Sequence, residues 1–431
     1  MKPPLPDDVL EALRTIGDPE LEALTTSGCL SKDDLLEYMK SVQNDGLHSV
    51  APSLLERFPA MTDIVQRQTI TPDPSMLRDA QDLFGRFGTE VSGALLLAAL
   101  PQSYATERGS VVLVANAELQ SNLVRRIRGT ALFLLIVMQR TPPTRAGRQD
   151  DATTMQWVSD LPVDQAADLP QTCGVLSWQI CAALRVYHHA IRTHLLDVAP
   201  NVGVAVNQED LLGMLLTFTI SVFEVLERYG ICWTADEQEA YLHAWDVIGD
   251  QLGIGSPEVK AAIAGLGEST TGWHGLRPPT VTGTRALLEQ IRERHWIEPS
   301  ATSAHDGGAG SGMRSGRLLT SSLLDELAAA MPSTLKMLPI TVMRVLAPDV
   351  VRRRLTLGHS GILIRALGQL PKRRRVVGRF TAITTPNPIV GRVLRMMANE
   401  VTSRAALRFL EGTDYFIPGL EDWSRELHGF R

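Results

Sequence analysis

Apolar residues along the chain recur mainly at the three- to four-residue spacing of amphipathic helices. The stretch SWQICAALRVYHHAIRTHLL (177–196) lacks proline and glycine and carries apolar residues at this spacing, which predicts a buried or half-buried helix. Strand signals are few, and the best of them, SVVLVA (110–115), stands alone. Because no strands alternate with helices to build a parallel sheet, the pattern predicts an all-α fold.

Interruptions of the helical pattern divide the chain into three predicted segments. Residues 1–74 form an N-terminal extension of short helical pieces broken by prolines, and longer helices fill a core at 75–260. Residues 261–431 form a C-terminal helical region. It contains a Gly/Ser-rich stretch at 300–316, a composition typical of flexible linkers.

Composition narrows the class of protein. The chain has 431 residues, of which 44% are hydrophobic and 21% charged, as in ordinary soluble globular proteins. A net charge of −6 and 5% aromatic residues argue against a nucleic-acid partner, because a phosphate backbone needs a cationic surface and stacking needs aromatic rings. The four cysteines show no CxxC spacing, so no zinc site is predicted.

The most apolar runs are short. GALLLAAL (93–100) and ALFLLIVM (131–138) fall well below the ~20 residues that span a bilayer. The first residues carry prolines and acids where a signal peptide needs an apolar stretch. We therefore expect a cytoplasmic protein without a membrane span.

Candidate chemistry lies on the helix predicted at 177–196. Arg185, His188 and Arg192 follow i, i+3, i+7 spacing and share one helical stripe. Two buried guanidinium groups need anions. A haem meets this need if the histidine binds iron while the arginines neutralise propionates or orient bound oxygen. In the alternative interpretation, acids on a neighbouring helix pair with the arginines and His188 is a hydrogen-bonded core histidine. His189 fits the same face almost as well, so spacing leaves the ligand open.

Several segments in order resemble one family. ArgValTyrHisHisAlaIleArg at 185–192 is similar to the Arg-x-x-His-Ala-x-x-Arg helix of the MpaB/rubber-oxygenase (latex clearing protein) family. The family's Asn-Gln-Glu-Asp-Leu helix opening resembles residues 206–218, and its Tyr-x-x-x-Trp-x-x-x-Gly-x-x-Leu-Gly helix resembles residues 241–254. Weaker likenesses at 83–88, 100–104 and 125–131 keep the family's order, so the resemblance covers roughly residues 75–255.

The resemblance implies a globin-like helical core around a b-type haem, with additional N- and C-terminal helices. An ungapped comparison places the family's axial iron ligand on His188, and His189 falls where the family has a small residue. Arg185 and Arg192 match arginines of the haem environment in the family. The resemblance thus implies that Arg185, His188 and Arg192 bind the cofactor, that His188 ligates the iron, and that the two arginines assist catalysis.

The family's activity gives the functional expectation. Its characterised members use molecular oxygen to cleave carbon–carbon double bonds of isoprenoid chains, which implies an oxidoreductase acting on an apolar, possibly isoprenoid small molecule. The alternatives are a haem protein that binds or senses a ligand without turnover and a peroxidase-like tailoring enzyme. Rubber oxygenases carry a Glu where this chain has Gly129 and a distal Lys where residues 140–176 have none. These departures predict that polyisoprene is a poor substrate.

The remaining motif residues have structural interpretations. Asn207 with Asp210 fits a helix N-cap followed by an acid in the first turn. In the alternative interpretation, Glu209 or Asp210 pairs with one of the two arginines of the histidine helix. Residues 31–34, SerLysAspAsp, predict another helix start. An apolar core stripe is predicted at Tyr241, Trp245, Ile248 and Leu252.

Overall fold

The structure, a computed structural model, is helical wherever it has regular secondary structure, and no β-strand occurs in the ranges it describes. This confirms the predicted all-α class. Val112 and Leu113, inside the run with β character, are helical. The described residues are 4–67, 69–106, 109–110, 112–113, 123–138, 175–266, 275–296, 311–358 and 388–410.

Short helices make up the N-terminal region. The predicted start at 31–34 is confirmed, because the Ser31 side chain accepts a hydrogen bond from the Asp34 amide at the first turn of the third helix. Asp18 caps the second helix in the same way, through the Leu21 amide. The helices are α1 (Asp7–Thr15), α2 (Pro19–Thr26), α3 (Lys32–Asp45), α4 (Leu47–Val50), α5 (Leu54–Arg57) and α6 (Thr62–Gln66).

Longer helices form the centre of the molecule. The histidine helix, α10, packs against α3 and α9, while α12 packs along α7 and α11 contacts both α7 and α14. The central helices are α7 (Pro74–Ala94), α8 (Leu100–Tyr104), α9 (Leu123–Met138), α10 (Val175–Val198), α11 (Gln208–Tyr229), α12 (Ala235–Gln251), α13 (Pro257–Ile263) and α14 (Val281–His295).

A π-helical turn, Leu95–Ala99, joins α7 to α8. The helical stretch Pro74–Tyr104, which kinks at Phe87, is 31 residues long and, by length and composition alone, could cross a membrane. The short apolar run at 93–100 had not predicted a helix of this length. In the structure 67% of its most apolar window is buried, as in a core helix of a folded domain.

The C-terminal helices differ from the sequence expectation at one place. The Gly/Ser-rich stretch was predicted to be a flexible loop, yet residues 311–316 belong to a helix, and residues 300–310 lie outside the described residues. Gly316 is needed for close packing, because a Cβ there would collide with the Tyr104 carbonyl oxygen. The helices are α15 (Ser311–Ala329), α16 (Leu338–Leu346), α17 (Asp349–Arg354) and α18 (Pro388–Phe409).

A buried apolar cluster runs continuously from Leu5 to Leu410. The N-terminal and C-terminal helices therefore share a core with the central ones, and the three-segment division stays a prediction. The predicted apolar stripe on α12 is confirmed, since its members are all buried: Tyr241, Trp245, Ile248 and Leu252. Burial of such side chains is the main source of stability for this fold.

Candidate functional site

The motif helix α10 buries its charged side chains. Arg185 and Arg192 are 4% and 3% exposed and His189 is 2% exposed, while His188 is half-buried. Buried alanines on the same helix have small side chains that let neighbouring helices come near. The Tyr38 hydroxyl of α3 donates a hydrogen bond to the Ala183 carbonyl. The neighbouring helices therefore approach α10 closely around the motif.

Arg185 is neutralised by two acids at the start of α2. Its Nε and one terminal nitrogen donate to the two Asp18 oxygens at 2.6 and 2.8 Å, and the same terminal nitrogen donates to Glu20 at 2.6 Å. Burial alone would lower the pKa of Arg185, but the carboxylates of Asp18 and Glu20 outweigh it and raise that pKa. Acids on a neighbouring helix thus pair with Arg185, as the alternative interpretation had it.

Arg192 holds the loop that precedes α11. Its Nε donates to the Ala205 carbonyl at 3.1 Å and a terminal nitrogen donates to the Val206 carbonyl at 2.7 Å. Val206 has a φ of +51°, a left-handed conformation that is unfavourable for a β-branched residue. The guanidinium of Arg192 stabilises this strained turn. Contact of either arginine with a cofactor stays a prediction.

The two adjacent histidines have different surroundings. His189 Nε2 lies 2.8 Å from the Thr25 hydroxyl, and its Nδ1 lies 3.3 Å from Arg192. A guanidinium can only donate, so His189 Nδ1 accepts and Nε2 carries the proton in the neutral ring. The Nδ1 atom of His188, by contrast, is buried and finds no hydrogen-bond partner among the described residues. A core histidine with satisfied nitrogens therefore describes His189 and not His188.

Both rings are neutral near physiological pH. Burial, followed by the positive charge of Arg192, lowers the pKa of His188 and of His189 to about 4, although the Asp18 carboxylate opposes the shift. The neutral imidazole is the form that binds metals. The electrostatics at His188 therefore suit an iron ligand as well as a neutral core group.

These lowered pKa values predict a pH-dependent stability of the apoprotein. The unfolded chain takes up protons below the ordinary histidine pKa of 6.5, whereas the folded chain does not until about pH 4. The free energy of unfolding should therefore fall as the pH drops through this window, by up to about 1.4 kcal/mol per pH unit and histidine. Urea unfolding across the window measures it. His189→Gln should give a shallower slope, and parallel curves for the two proteins would contradict the assignment.

Two glycines make room for the buried arginines. A Cβ at Gly253, where φ is +76°, would lie 2.6 Å from Arg185 Nε, and a Cβ at Gly17 would lie 2.6 Å from Arg192 Nε. Gln208 joins both segments, because its Nε2 donates to the Gly17 and Gly253 carbonyls at 2.8 and 3.1 Å. The glutamine of the Asn-Gln-Glu-Asp-Leu segment thus fixes the backbone around the motif arginines.

The predicted cap of α11 is confirmed. Asn207 Oδ1 accepts from the Asp210 amide at 3.0 Å. The alternative pairing of Glu209 or Asp210 with the motif arginines does not occur as an ion pair among the described residues. Asp210 lies 3.4 Å from Arg14, although its charge still acts to raise the pKa of Arg192, and Glu209 contacts other basic residues. They are Arg14 at 2.9 Å, Arg294 at 2.9 Å and His295 at 3.3 Å.

Asp18 and Glu20 could not be predicted from the sequence as partners of Arg185. Asp18 lies 167 residues before Arg185 along the chain, so no spacing rule connects the two. The signal that was present is local: an Asp followed by Pro and Glu is a typical helix start. This local signal predicts the start of α2, but it does not predict that the acids of α2 bind Arg185.

An apolar cavity of about 70 Å³ lies between the π-helical turn, α9, α11 and α18. Apart from the hydroxyls of Ser92, Thr130 and Thr402, only apolar side chains line it. Gly129, next to Thr130, has open space beside it in the described part of the chain, since an added Cβ would meet no heavy atom of the described residues within 4 Å. The predicted absence of a distal lysine concerns residues 140–176, nearly all of which lie outside the described residues.

Comparisons with known proteins agree with the motif resemblance. The family described as ER-bound oxygenase mpaB/B'/Rubber oxygenase, catalytic domain, matches residues 78–383. A solved structure of latex clearing protein in the closed state is similar, with a TM-score of 0.51 and 16% sequence identity. The match covers 90% of this chain and 91% of that one. A search of curated proteins gave no match. The structural likeness extends the shared fold to the N-terminal and C-terminal helices.

Proposed function

Because the chain belongs to the family of MpaB and rubber oxygenase catalytic domains, we propose that it is a haem b-dependent oxygenase with His188 as the iron ligand. The observation that carries the proposal is the buried Nδ1 of His188, which has no hydrogen-bond partner among the described residues. Buried polar atoms are normally satisfied. His188 lies on the helix that carries the family motif, and its ring is half-buried. An unsatisfied nitrogen at this place suits a histidine that binds a cofactor.

The residues around His188 fit a haem. A porphyrin iron needs only one protein ligand, which His188 would supply. The low pKa of His188, about 4, keeps the ring neutral and ready to ligate. Arg185 is already neutralised by the acids of α2, so its contribution is to fix α10 in place.

Arg185, Arg192 and His188 would then have different roles toward a bound haem. A bound haem would supply the oxygen chemistry. Arg185, through Asp18 and Glu20, would hold the histidine helix against α2. Arg192 would hold the 205–206 turn against the same helix. The ring of His188 would thereby keep one orientation toward the cofactor, which is the preorganisation that a site needs.

The cavity supports an apolar substrate. Helix α9 both lines it and packs against α10, so the cavity and the motif helix have a common neighbour. Small-molecule pockets usually measure about 300–1,000 Å³, so an unsaturated chain such as an isoprenoid requires α9 and α18 to move apart. The described residues leave room for a side chain at Gly129, where rubber oxygenases carry a Glu. Without that side chain's carboxylate, we expect polyisoprene latex to react poorly.

Haem supplementation followed by spectroscopy tests the proposal. Purified protein should carry stoichiometric, non-covalent haem by the pyridine haemochrome assay, and oxygen uptake should rise in proportion to added short isoprenoid alkenes. Well under one haem per chain would overturn the cofactor assignment. Haem binding without substrate-dependent oxygen uptake would favour a ligand-binding haem protein, and turnover only with peroxide would favour a peroxidase-like enzyme.

A further inference from the structure

We propose that helix α2, and Asp18 above all, is a positioning element of the His188 site that fixes the rotation of the histidine helix and supplies its buried negative charge. The inference rests on the proposed function, because it assigns a role toward the same haem. It concerns residues that precede the family match at 78–383.

Helix α2 contacts the motif at successive levels. At its start, Asp18 and Glu20 bind Arg185. Near its end, the Thr25 hydroxyl binds His189 at 2.8 Å. The backbone at Gly17, just before α2, and the side chain of Glu22 lie beside Arg192, because a Cβ at Gly17 would collide with the side chains of both Glu22 and Arg192. One short helix therefore touches three of the charged or polar side chains of the motif.

These contacts determine where His188 points. Arg185 and His189 are one turn apart on α10, so holding both against α2 prevents rotation of α10 about its axis. The His188 ring has no hydrogen bond at Nδ1 within the described residues. Its orientation is therefore set by the rotation of the helix and not by a hydrogen bond at that atom.

Asp18 is itself rigidly placed. Its carboxylate caps α2 through the Leu21 amide at 3.2 Å, and its own amide donates to Glu22 at 3.1 Å. The side chain is 5% exposed. Although burial opposes ionisation, the charge of Arg185 and then of Arg192 keeps the pKa of Asp18 below its ordinary value. A permanent negative charge therefore sits beside both arginines of the motif.

That charge should tune an iron held by His188. Ferric haem carries one more positive charge than ferrous haem, so a nearby carboxylate stabilises the ferric form. Removing the carboxylate would leave the positive charge of Arg185 less compensated and would raise the reduction potential. Loosening α10 would also speed haem loss. Residues that orient metal ligands typically change metal affinity by about 10- to 100-fold when they are replaced.

The test compares three variants of the full chain after haem reconstitution. Asp18→Asn removes the charge with little change of shape. Thr25→Val removes the hydrogen bond to His189 and leaves every charge in place. Asp33→Asn, an exposed acid in the first turn of α3, is the matched control. The measurements are the ferric/ferrous midpoint potential and the rate of haem transfer to apomyoglobin.

We expect a higher potential and at least about tenfold faster haem loss for Asp18→Asn. Thr25→Val should lose haem about two- to tenfold faster, as expected for one hydrogen bond, with an unchanged potential. Asp33→Asn should match the wild type. If Asp18→Asn does not fold, Thr25→Val alone decides whether α2 positions the histidine helix. Wild-type kinetics and potential in all three would overturn the inference, whereas failure of the wild type to take up haem would overturn the proposed function instead.

Discussion

His188→Ala is expected to purify largely free of haem, while His189→Ala keeps it. The two side chains point about 100° apart on an ideal helix, and the structure gives them opposite surroundings. His189 uses both ring nitrogens, one toward Thr25 and one toward Arg192. The buried Nδ1 of His188 has no hydrogen-bond partner in the described part of the chain. Loss of His188 therefore removes the proposed iron bond.

The Soret absorbance per chain measures this difference. His189→Ala should lose about 1–3 kcal/mol of folding free energy, because it removes the buried hydrogen bonds of His189 with Thr25 and Arg192, yet its spectrum should stay close to that of the wild type. Arg192→Ala should retain an intermediate amount of haem, because it releases the 205–206 turn and leaves the ligand in place. Haem lost from His189→Ala but kept in His188→Ala would shift the ligand by one residue.

Gly253→Ala should be the most damaging of the small substitutions near the site. A Cβ at this position, with φ at +76°, would lie 2.6 to 2.8 Å from three guanidinium atoms of Arg185. The left-handed backbone alone costs about 1–2 kcal/mol for a residue with a Cβ, and overpacking adds about 1–3 kcal/mol. Arg185 would have to leave Asp18, so haem retention should fall together with stability.

Gly230→Ala is the matched control. Its φ is +80° and an added Cβ would meet no heavy atom of the described residues within 4 Å, so we expect the backbone strain alone to apply. The free energy of unfolding of both variants, measured by chemical unfolding, separates the cost of backbone strain from the cost of the collision with Arg185. Equal losses of stability and full haem retention in both would mean that Gly253 does not make room for Arg185.

Local signals in the sequence predicted local structure. The apolar spacing of residues 177–196 predicted the histidine helix, and the structure places it within Val175–Val198. The caps at Ser31 and Asn207 were predicted correctly because a cap involves residues only three positions apart. The Gly/Ser-rich composition of residues 300–316 predicted a flexible loop, and this was wrong for residues 311–316. Glycine also allows close packing, as at Gly316, which packs against α8.

Long-range contacts could not be predicted. Spacing placed Arg185, His188 and Arg192 on one stripe, but the acids that bind Arg185 come from a distant part of the chain, and any of its 48 acidic residues could have served. The distinction between His188 and His189 also depends on a partner, Thr25, that lies 164 residues away. The spacing of apolar residues predicts which face of a helix is buried, but only the packing of the fold shows which element lies against that face.

The ion pair between Asp18 and Arg185 has a consequence for where the protein can be divided. A fragment limited to the family match, residues 78–383, would keep Arg185 but lose both acids that neutralise it, and removing one partner of a buried pair costs about 3–5 kcal/mol. The same fragment would lack α18, whose Ala406 and Phe409 line the apolar cavity. We therefore expect the range matched by the family, residues 78–383, to be unstable on its own, because segments at both ends of the chain complete its packing.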